Sequence, residues 1–235
     1  NDVLFDGGIV KSAISVSAQL GMFAIVIAVG IGIPLGLISA LKQNTAVDYI
    51  SMFFAMLGVS IPNFVLGLMF MLAMLWLNQH DLPSLPIARW GTESFNEWIR
   101  HMILPAITLG TGGSAIIARL TRASMLEVIR QDYIRTARSK GLRERAVVTV
   151  HALKNSLIPV TTVLGPLMAA WLTGSFIIET VFSVPGIGRF FVTSITDRDY
   201  TLIMGTILVY AVLLVIMNIL VDISYAFLDP RIRYD

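Results

Sequence analysis

The residues of this chain that are best suited by type to bind another molecule are cations, and most of them lie in one stretch. Between Arg119 and Lys154, nine basic residues stand against three acidic ones. Of the 235 residues, 56% are apolar and only 14% are charged, whereas about a quarter of a soluble domain is charged. Clustered cations can contact anionic lipid head groups or an acidic protein surface. Because charges need water, this stretch is predicted to lie outside the lipid hydrocarbon.

Catalytic chemistry has less support. The chain has no cysteine, so thiolate chemistry is absent, and His80, His101 and His151 lie too far apart in sequence for a metal motif. Ser114, in GTGGSA, has no histidine in a later apolar run to act as its base. The stretch GIGIPLG lies inside an uncharged run without a preceding strand, and no Gly-Lys-Ser/Thr motif occurs, so ATP hydrolysis by this chain is not expected.

The elements that must position these residues are long apolar runs. About 20 apolar residues in a helix cross the hydrocarbon, and backbone polar groups in lipid must be satisfied within the segment. The sequence therefore predicts an all-α polytopic membrane protein, with the whole chain, 1–235, forming one transmembrane domain. The five predicted spans are about 12–41, 50–77, 102–124, 156–178 and 201–227, and the basic loop is 125–155.

Lys and Arg are distributed unevenly among the segments that connect these spans. The segments 81–100 and 179–199 each carry two basic and three acidic residues, against nine and three between Arg119 and Lys154. Excess Lys and Arg marks the cytoplasmic side, so the long loop is predicted inside and its two neighbours outside. Alternation places the N-terminus of the sequence outside and its C-terminus in the cytoplasm. We therefore expect one further helix before residue 1.

The basic loop has a helical pattern that a glycine interrupts. Four residues recur every four positions and predict one stripe of a helix, with the cations off it. The stripe consists of Met125, Ile129, Tyr133 and Ala137. Gly141 is predicted to end this helix as a C-cap glycine. A second helical pattern then follows through Ala146, Val147, Val150 and Leu153.

Two interpretations of this loop remain open from the residues alone. The cations could simply hold the topology and contact anionic lipid. The small residues Thr136, Ala137 and Ser139 beside a glycine turn would instead suit a helix that docks in a groove of another protein. A nucleic-acid-binding helix-turn-helix is disfavoured because spans tether the segment at both ends.

The same loop resembles a known family. DYIRTARSKGL (132–142), followed by HALKNSLIP (151–159), is similar to the cytoplasmic coupling loop in permease subunits of binding-protein-dependent ABC importers. Nearly the whole chain resembles the oligopeptide/dipeptide permease group, whose members usually begin with one more transmembrane helix and an extracellular stretch. The other similar stretches are VSAQLG, GLISALKQNTAVDY, HMILPAITLG, ETVFSVPGIGRFFVTSITDRDY and VDISYAFLDPRIRY.

The resemblance implies a permease that passes peptides from an external binding protein across a bacterial or archaeal cytoplasmic membrane by alternating access. Two separate ATP-binding subunits would supply the energy, and a second homologous permease subunit would complete the pathway. This chain would then be no enzyme and would hold no cofactor or metal, with ATP and Mg on the partner subunits. The residues implied to contact an ATPase subunit are Arg135, Thr136, Ala137, Arg138, Ser139, Lys140, Gly141 and Leu142.

The resemblance also implies that 179–200 lies near the outer mouth, where the binding protein docks. The residues concerned are Glu179, Pro185, Gly186, Gly188, Arg189 and Asp199. From the residues alone, a packed re-entrant connection without a ligand role is equally compatible with this stretch. We expect Glu179 and Asp222, which flank apolar runs, to be paired structurally.

The alternative function is a self-sufficient secondary transporter or channel subunit for a small solute. Secondary transporters have internal repeats and charged residues within their spans, and the apolar runs of this chain have almost none. Permeases similar to this one handle nickel, glutathione and other cargo besides peptides. The sequence therefore does not identify the cargo.

Overall fold

The computed structural model describes residues 13–91 and 94–228, with the backbone alone for 225–228. The predicted positions of the N-terminus and of the basic tail 229–235 lie outside the described residues. Within them the chain forms helices and no β-strand. The elements are α1 (Ala13–Leu41), α2 (Ala46–Ser60), α3 (Asn63–Gln79), α4 (Phe95–Val128), α5 (Asp132–Ser139), α6 (Glu144–Ala146), a π-helical segment (Val147–Ala152), α7 (Leu153–Ser156), α8 (Ile158–Leu172), α9 (Phe176–Val181), α10 (Ile187–Thr196) and α11 (Tyr200–Leu228).

Four stretches of the described chain are long and apolar enough to cross a membrane: α1, α4, the pair α8 and α9, and α11. The pair α2 and α3 makes a fifth such stretch, bent by 103°. The predicted fold class, an all-α polytopic membrane protein, is confirmed. The 34 residues of α4 are longer than the predicted span, since at about 1.5 Å per residue they cover roughly 51 Å.

The predicted span 50–77 is not one straight helix. Helix α2 ends at Ser60, Ile61 adopts an extended conformation with φ −89° and ψ 121°, and Pro62 precedes the first residue of α3. The proline ring clashes with a helical conformation of the residue before it and lacks an N–H for the helix ladder. This explains why two helices meet at a sharp angle where composition alone predicts one.

The tightest packing in the fold is between α1 and α4. A Cβ atom added at Gly32 of α1 would lie 2.7 Å from the carbonyl oxygen of Ser114 and 2.8 Å from the side chain of Ile117, both on α4. Glycine is therefore needed at position 32 for the two backbones to approach this closely, as small residues allow in membrane helix pairs. Ser114, the serine of GTGGSA, donates a hydrogen bond to the Thr111 carbonyl of its own helix at 2.8 Å.

Helix α4 occupies the centre of the bundle and α11 its edge. Most of the apolar stretch of α4 is buried, whereas only a small part of α11 is buried. The main apolar core joins α1, α4 and α8 with the end of α9, where Phe182 is almost completely buried. Many exposed side chains of α11, such as Leu208 and Val215, are apolar, as in a helix that spans a membrane.

Candidate docking loop and outer segment

The basic loop forms a short helix with one buried and one exposed face. In α5, Ile134 is completely buried and Ala137 is 7% exposed. Both belong to an apolar cluster with Met125 of α4, Val147 of the π-helical segment and Ala40 of α1. Seven of the eight predicted contact residues are exposed, namely Arg135, Thr136, Arg138, Ser139, Lys140, Gly141 and Leu142. The eighth, Ala137, points into the chain and fixes α5 to the bundle.

The predicted continuous stripe through the start of this loop is wrong. Helix α4 ends at Val128, and Gln131 is extended, with φ −70° and ψ 150°. The chain therefore turns before α5 and the helical register is reset. As a result Ile134 is buried, and Tyr133, which the four-residue spacing placed in the stripe, is 39% exposed.

Gly141 makes the turn that follows α5, as predicted. It has φ +76°, a conformation that other residues adopt only with strain. The amide of Gly141 donates to the Arg138 carbonyl at 2.9 Å, and the amide of Leu142 donates to the Ala137 carbonyl at 3.4 Å. This pair of bonds is the Schellman arrangement. It ends α5 abruptly, and residues 138–142 at this end are exposed.

An ion pair between α5 and α6 spans the turn at Gly141. Arg138 donates from Nε and Nη2 to the two carboxylate oxygens of Glu144 at 3.1 and 2.7 Å. The hydrogen bond from Arg138 holds the pKa of the Glu144 carboxyl below its usual value, so the pair is ionised at neutral pH. Arg138 is thereby engaged within the chain. Arg135 reaches Asp132 only at 3.5 Å with both side chains mostly exposed, a geometry that contributes little to stability, so its charge is available to a partner.

The second helix of the loop differs from the predicted pattern. An α-helical period places Val147 and Val150 near one another on the helix surface, yet Val147 is fully buried and Val150 is 60% exposed. The chain from Val147 to Ala152 is a π-helix, whose wider turn brings residues five apart to the same face. Accordingly Val147 and Ala152 are both fully buried. Asn155, in α7, then donates to the Tyr133 hydroxyl at 2.8 Å and ties the two halves of the loop together.

A buried ion pair beside the loop was missed by sequence reasoning. Asp48, near the start of α2, has a side chain only 2% exposed and accepts from Nε and Nη2 of Arg122 on α4, both at 2.7 Å. Its carboxylate also accepts from the Ser39 hydroxyl and from the amide of Asn44 at 3.0 Å. The α1–α2 turn is therefore bonded to α4 shortly before α4 ends in the basic loop. The only sequence signal was an acid and a base at the edges of separate apolar runs.

The segment 179–199, predicted to lie outside the membrane, is built around Glu179, which is completely buried in α9. Its Oε1 accepts from the Ser17 hydroxyl of α1 at 2.7 Å, and its Oε2 accepts from the backbone amide of Arg189 in α10 at 3.3 Å. Glu179 is thus paired structurally, as expected, though with a hydroxyl and backbone amides rather than with a cation. Gly186 and Gly188 line the space that its side chain occupies.

The other residues predicted to lie near the outer mouth differ in exposure and in hydrogen bonding. Pro185 is exposed in the turn that leads to Gly186. The side chain of Arg189 is exposed, and only its amide reaches the buried carboxylate. Asp199 accepts from the amide of Leu202 at 3.0 Å, the bond of an N-terminal cap, here on α11. The structure therefore brings Glu179, Gly186, Gly188 and the backbone of Arg189 together and leaves Asp199 apart.

The described residues thus form a bundle of apolar helices, long enough to cross a membrane, with an exposed charged loop before α8. The family model described as "Binding-protein-dependent transport system inner membrane component" matches residues 32–234. The chain belongs to this family.

Relatives within the family agree with the resemblance seen in the sequence. The dipeptide transport system permease protein DppB of Bacillus subtilis (strain 168) is 52% identical over 220 residues, which are 93% of this chain and 68% of that protein. DppB of Escherichia coli (strain K12) is 38% identical over 92% of this chain and 70% of that protein. The oligopeptide transport system permease protein OppB of Salmonella typhimurium is 42% identical over 96% and 71%. Membership of the peptide permease group is confirmed.

Solved structures support the same fold. A chain of the MetNI methionine ABC transporter, in inward-facing conformations, superposes with a TM-score of 0.69 at 14% sequence identity and covers 92% of this chain and 94% of its own. A chain from the structure titled "Crystal structure of an amino acid ABC transporter with histidines" gives 0.65 at 16% identity, with 92% of each chain covered. At these identities the likeness concerns the fold alone.

Proposed function

We propose that this chain is a permease subunit of an ATP-driven importer and passes peptides, released by an external binding protein, across the membrane by alternating access. The observation that carries the peptide assignment is 52% identity over 93% of the chain to a dipeptide permease. The alternative of a self-sufficient transporter lacks such support. Peptide is the cargo class, and the preferred length of the peptide is left to experiment.

Coupling to ATP hydrolysis is proposed to run through the basic loop. The exposed end of α5, with Arg135, Lys140 and Leu142, would seat on one of two ATP-binding subunits, which bind ATP and Mg and carry out the hydrolysis. This chain would hold no cofactor of its own. The buried residues Ile134 and Ala137 support this role, because they pack α5 against α1 and α4. A displacement of the loop would therefore move these two helices as well.

A second, homologous permease subunit is proposed to cover part of the exposed apolar surface. Helix α11 carries many exposed apolar side chains, which suit the apolar face of a second subunit as well as lipid. The basic loop is proposed to face the cytoplasm, which places the start of the chain outside and its end inside. The membrane is then the bacterial or archaeal cytoplasmic membrane.

Uptake by the reconstituted complex tests this function. The complex of both permeases and both ATPase subunits, in vesicles with the binding protein outside, is expected to accumulate labelled di- and oligopeptides only when ATP is inside. The matched control is the same complex with an ATPase subunit that binds ATP but cannot hydrolyse it. Accumulation that persists in this control, or that does not need the binding protein, would favour the secondary transporter instead.

A further inference from the structure

The break between α2 and α3 packs against the middle of α4. A Cβ atom added at Gly58, near the end of α2, would lie 3.1 Å from Cγ2 of Thr111. One added at Gly112 would lie 3.2 Å from Oδ1 of Asn63, the first residue of α3. The part of α4 without Asp, Glu, Lys or Arg is 101–118, and both α4 contacts lie near its centre. The bend of 103° is therefore deep in the membrane and not at its surface.

The break leaves backbone polar groups without their helical partners. In an unbroken helix the Gly58 carbonyl would accept from residue 62, but Pro62 has no N–H. The amides of Val65 and Leu66 both donate to the Pro62 carbonyl. Within the described residues, the Ile61 carbonyl therefore accepts no backbone hydrogen bond. Lipid offers such groups no partner, so irregular backbone at this depth occurs only where it is buried in protein or lines a water-filled cavity.

This chain does not bury the break itself. Ser60 and Pro62 are exposed, and Asn63 is partly exposed. Among the residues that the structure describes, neither the Ser60 hydroxyl nor the Asn63 side-chain amide has a hydrogen-bond partner. Covering these groups with an apolar surface would cost free energy, because polar groups without a partner are expensive to bury. A water-filled pathway is the surrounding that suits them.

The chemistry of the break is neutral. The stretch 49–79, which holds nearly all of both helices, contains no Asp, Glu, Lys, Arg, His or Cys. The exposed residues beside the break, Leu57, Val59 and Phe64, are apolar. A few neutral donors and acceptors within apolar walls are typical of a site for an uncharged polar group. Transition-metal ions prefer imidazole or thiolate ligands, so the main chain of a peptide suits this site better than a metal ion does.

We propose that the break between α2 and α3 lines the translocation pathway deep in the membrane, and that Ser60 and Asn63 bind the main chain of a passing peptide there. A hydroxyl and a side-chain amide each donate and accept hydrogen bonds. They can therefore pair with main-chain amides and carbonyls whatever the side chains of the peptide are. This inference rests on the proposed function, from which it takes the cargo class. The position of the break in the pathway is tested without any cargo.

The absence of cysteine from the sequence makes water access at the break measurable. Ser60→Cys and Asn63→Cys each place a single thiol there, and Val215→Cys places one at an exposed apolar position of α11 as the control. A charged thiol reagent is added to the assembled complex in lipid nanodiscs, without nucleotide and with ATP plus vanadate. In at least one state we expect both thiols at the break to react about tenfold faster than the thiol at position 215, because neither a thiolate nor a charged reagent is stable in hydrocarbon.

Removal of the Asn63 amide group should lower uptake without lowering ATP hydrolysis. Asn63→Leu has a side chain of similar length that cannot form hydrogen bonds, so a passing peptide loses a partner inside the membrane. Uptake of labelled peptides per ATP hydrolysed is expected to fall about tenfold, the effect of one or two lost hydrogen bonds, and to fall alike for peptides of different sequence. Asn78→Leu makes the same change at the other end of α3, where Asn78 is exposed, and should leave uptake unchanged.

Two results would overturn this inference. Thiols at positions 60 and 63 that react no faster than the thiol at position 215 in either state would mean that lipid or another subunit covers the break. An assembled Asn63→Leu complex with unchanged uptake would mean that Asn63 does not bind the peptide. If both thiols at the break react quickly but the unchanged chain imports no peptide, the place of the break in the pathway is supported and the peptide assignment of the proposed function fails.

Discussion

Replacement of Gly141 by proline is expected to abolish substrate-stimulated ATP hydrolysis in the assembled transporter while the spans of this chain remain folded. Proline fixes φ near −65°, whereas Gly141 has φ +76°. Proline also removes the amide that donates to the Arg138 carbonyl at 2.9 Å. The turn cannot form, so α5 loses its defined end and Arg138 no longer faces Glu144. Hydrolysis by the purified complex, with and without loaded binding protein, measures the effect.

Asparagine at position 141 is the matched control for this prediction. Asparagine tolerates the left-handed conformation better than other residues with a side chain, retains the amide, and would meet nothing within 4 Å at its Cβ. Gly141→Asn should therefore keep most of the stimulated hydrolysis. If the proline variant assembles with its partners and is still stimulated normally, the turn has no role in coupling.

Removal of the carboxylate of Asp48 is expected to destabilise this chain strongly. Asp48→Ala leaves the guanidinium of Arg122 half-buried without its two 2.7 Å bonds and leaves the amide of Asn44 without its acceptor. Breaking a buried ion pair by removing one partner costs about 3 kcal/mol or somewhat more. The free energy of unfolding in mild detergent, followed by denaturant titration, should fall by about this amount.

The double variant Asp48→Ala/Arg122→Met distinguishes the ion pair from simple loss of packing. It removes the stranded charge as well, and replacing both partners of a buried pair by apolar groups is often nearly neutral. We expect the double variant to recover much of the stability that the single variant loses. Additive losses in the two single changes and the double change would mean that Asp48 and Arg122 do not act as a pair.

Composition and spacing predicted the parts of this protein that depend on local physics. Long apolar runs require helices in lipid, and the helices lie where those runs are. Gly141 marked the end of α5 because a positive φ at a helix end favours glycine strongly over residues that carry a Cβ. The break between α2 and α3 has a local cause too, at Pro62, although the apolar run continued through it and predicted one span.

The rest depended on contacts between distant residues or on a change of helix type. Ser17 and Glu179 are 162 residues apart in sequence, and Asp48 and Arg122 are 74 apart. A charge at the edge of an apolar run is expected at the membrane surface, and nothing in its own neighbourhood indicates a buried partner. The π-helical segment does not follow an α-helical period. The residue buried on the same face as Val147 is therefore Ala152 and not Val150.

The exposed end of α5 is proposed to contact an ATP-binding subunit in the cytoplasm, and this contact can be tested directly. Ser139→Cys, at an exposed position in a chain without other cysteines, can carry a photoreactive label in the assembled complex, with Ile195→Cys of α10 as the control. We predict that the label at position 139 cross-links to an ATPase subunit and that the label at position 195 does not. The claim would be contradicted if the label at position 139 formed no such cross-link, or if a membrane-impermeant thiol reagent added outside intact cells modified Cys at that position.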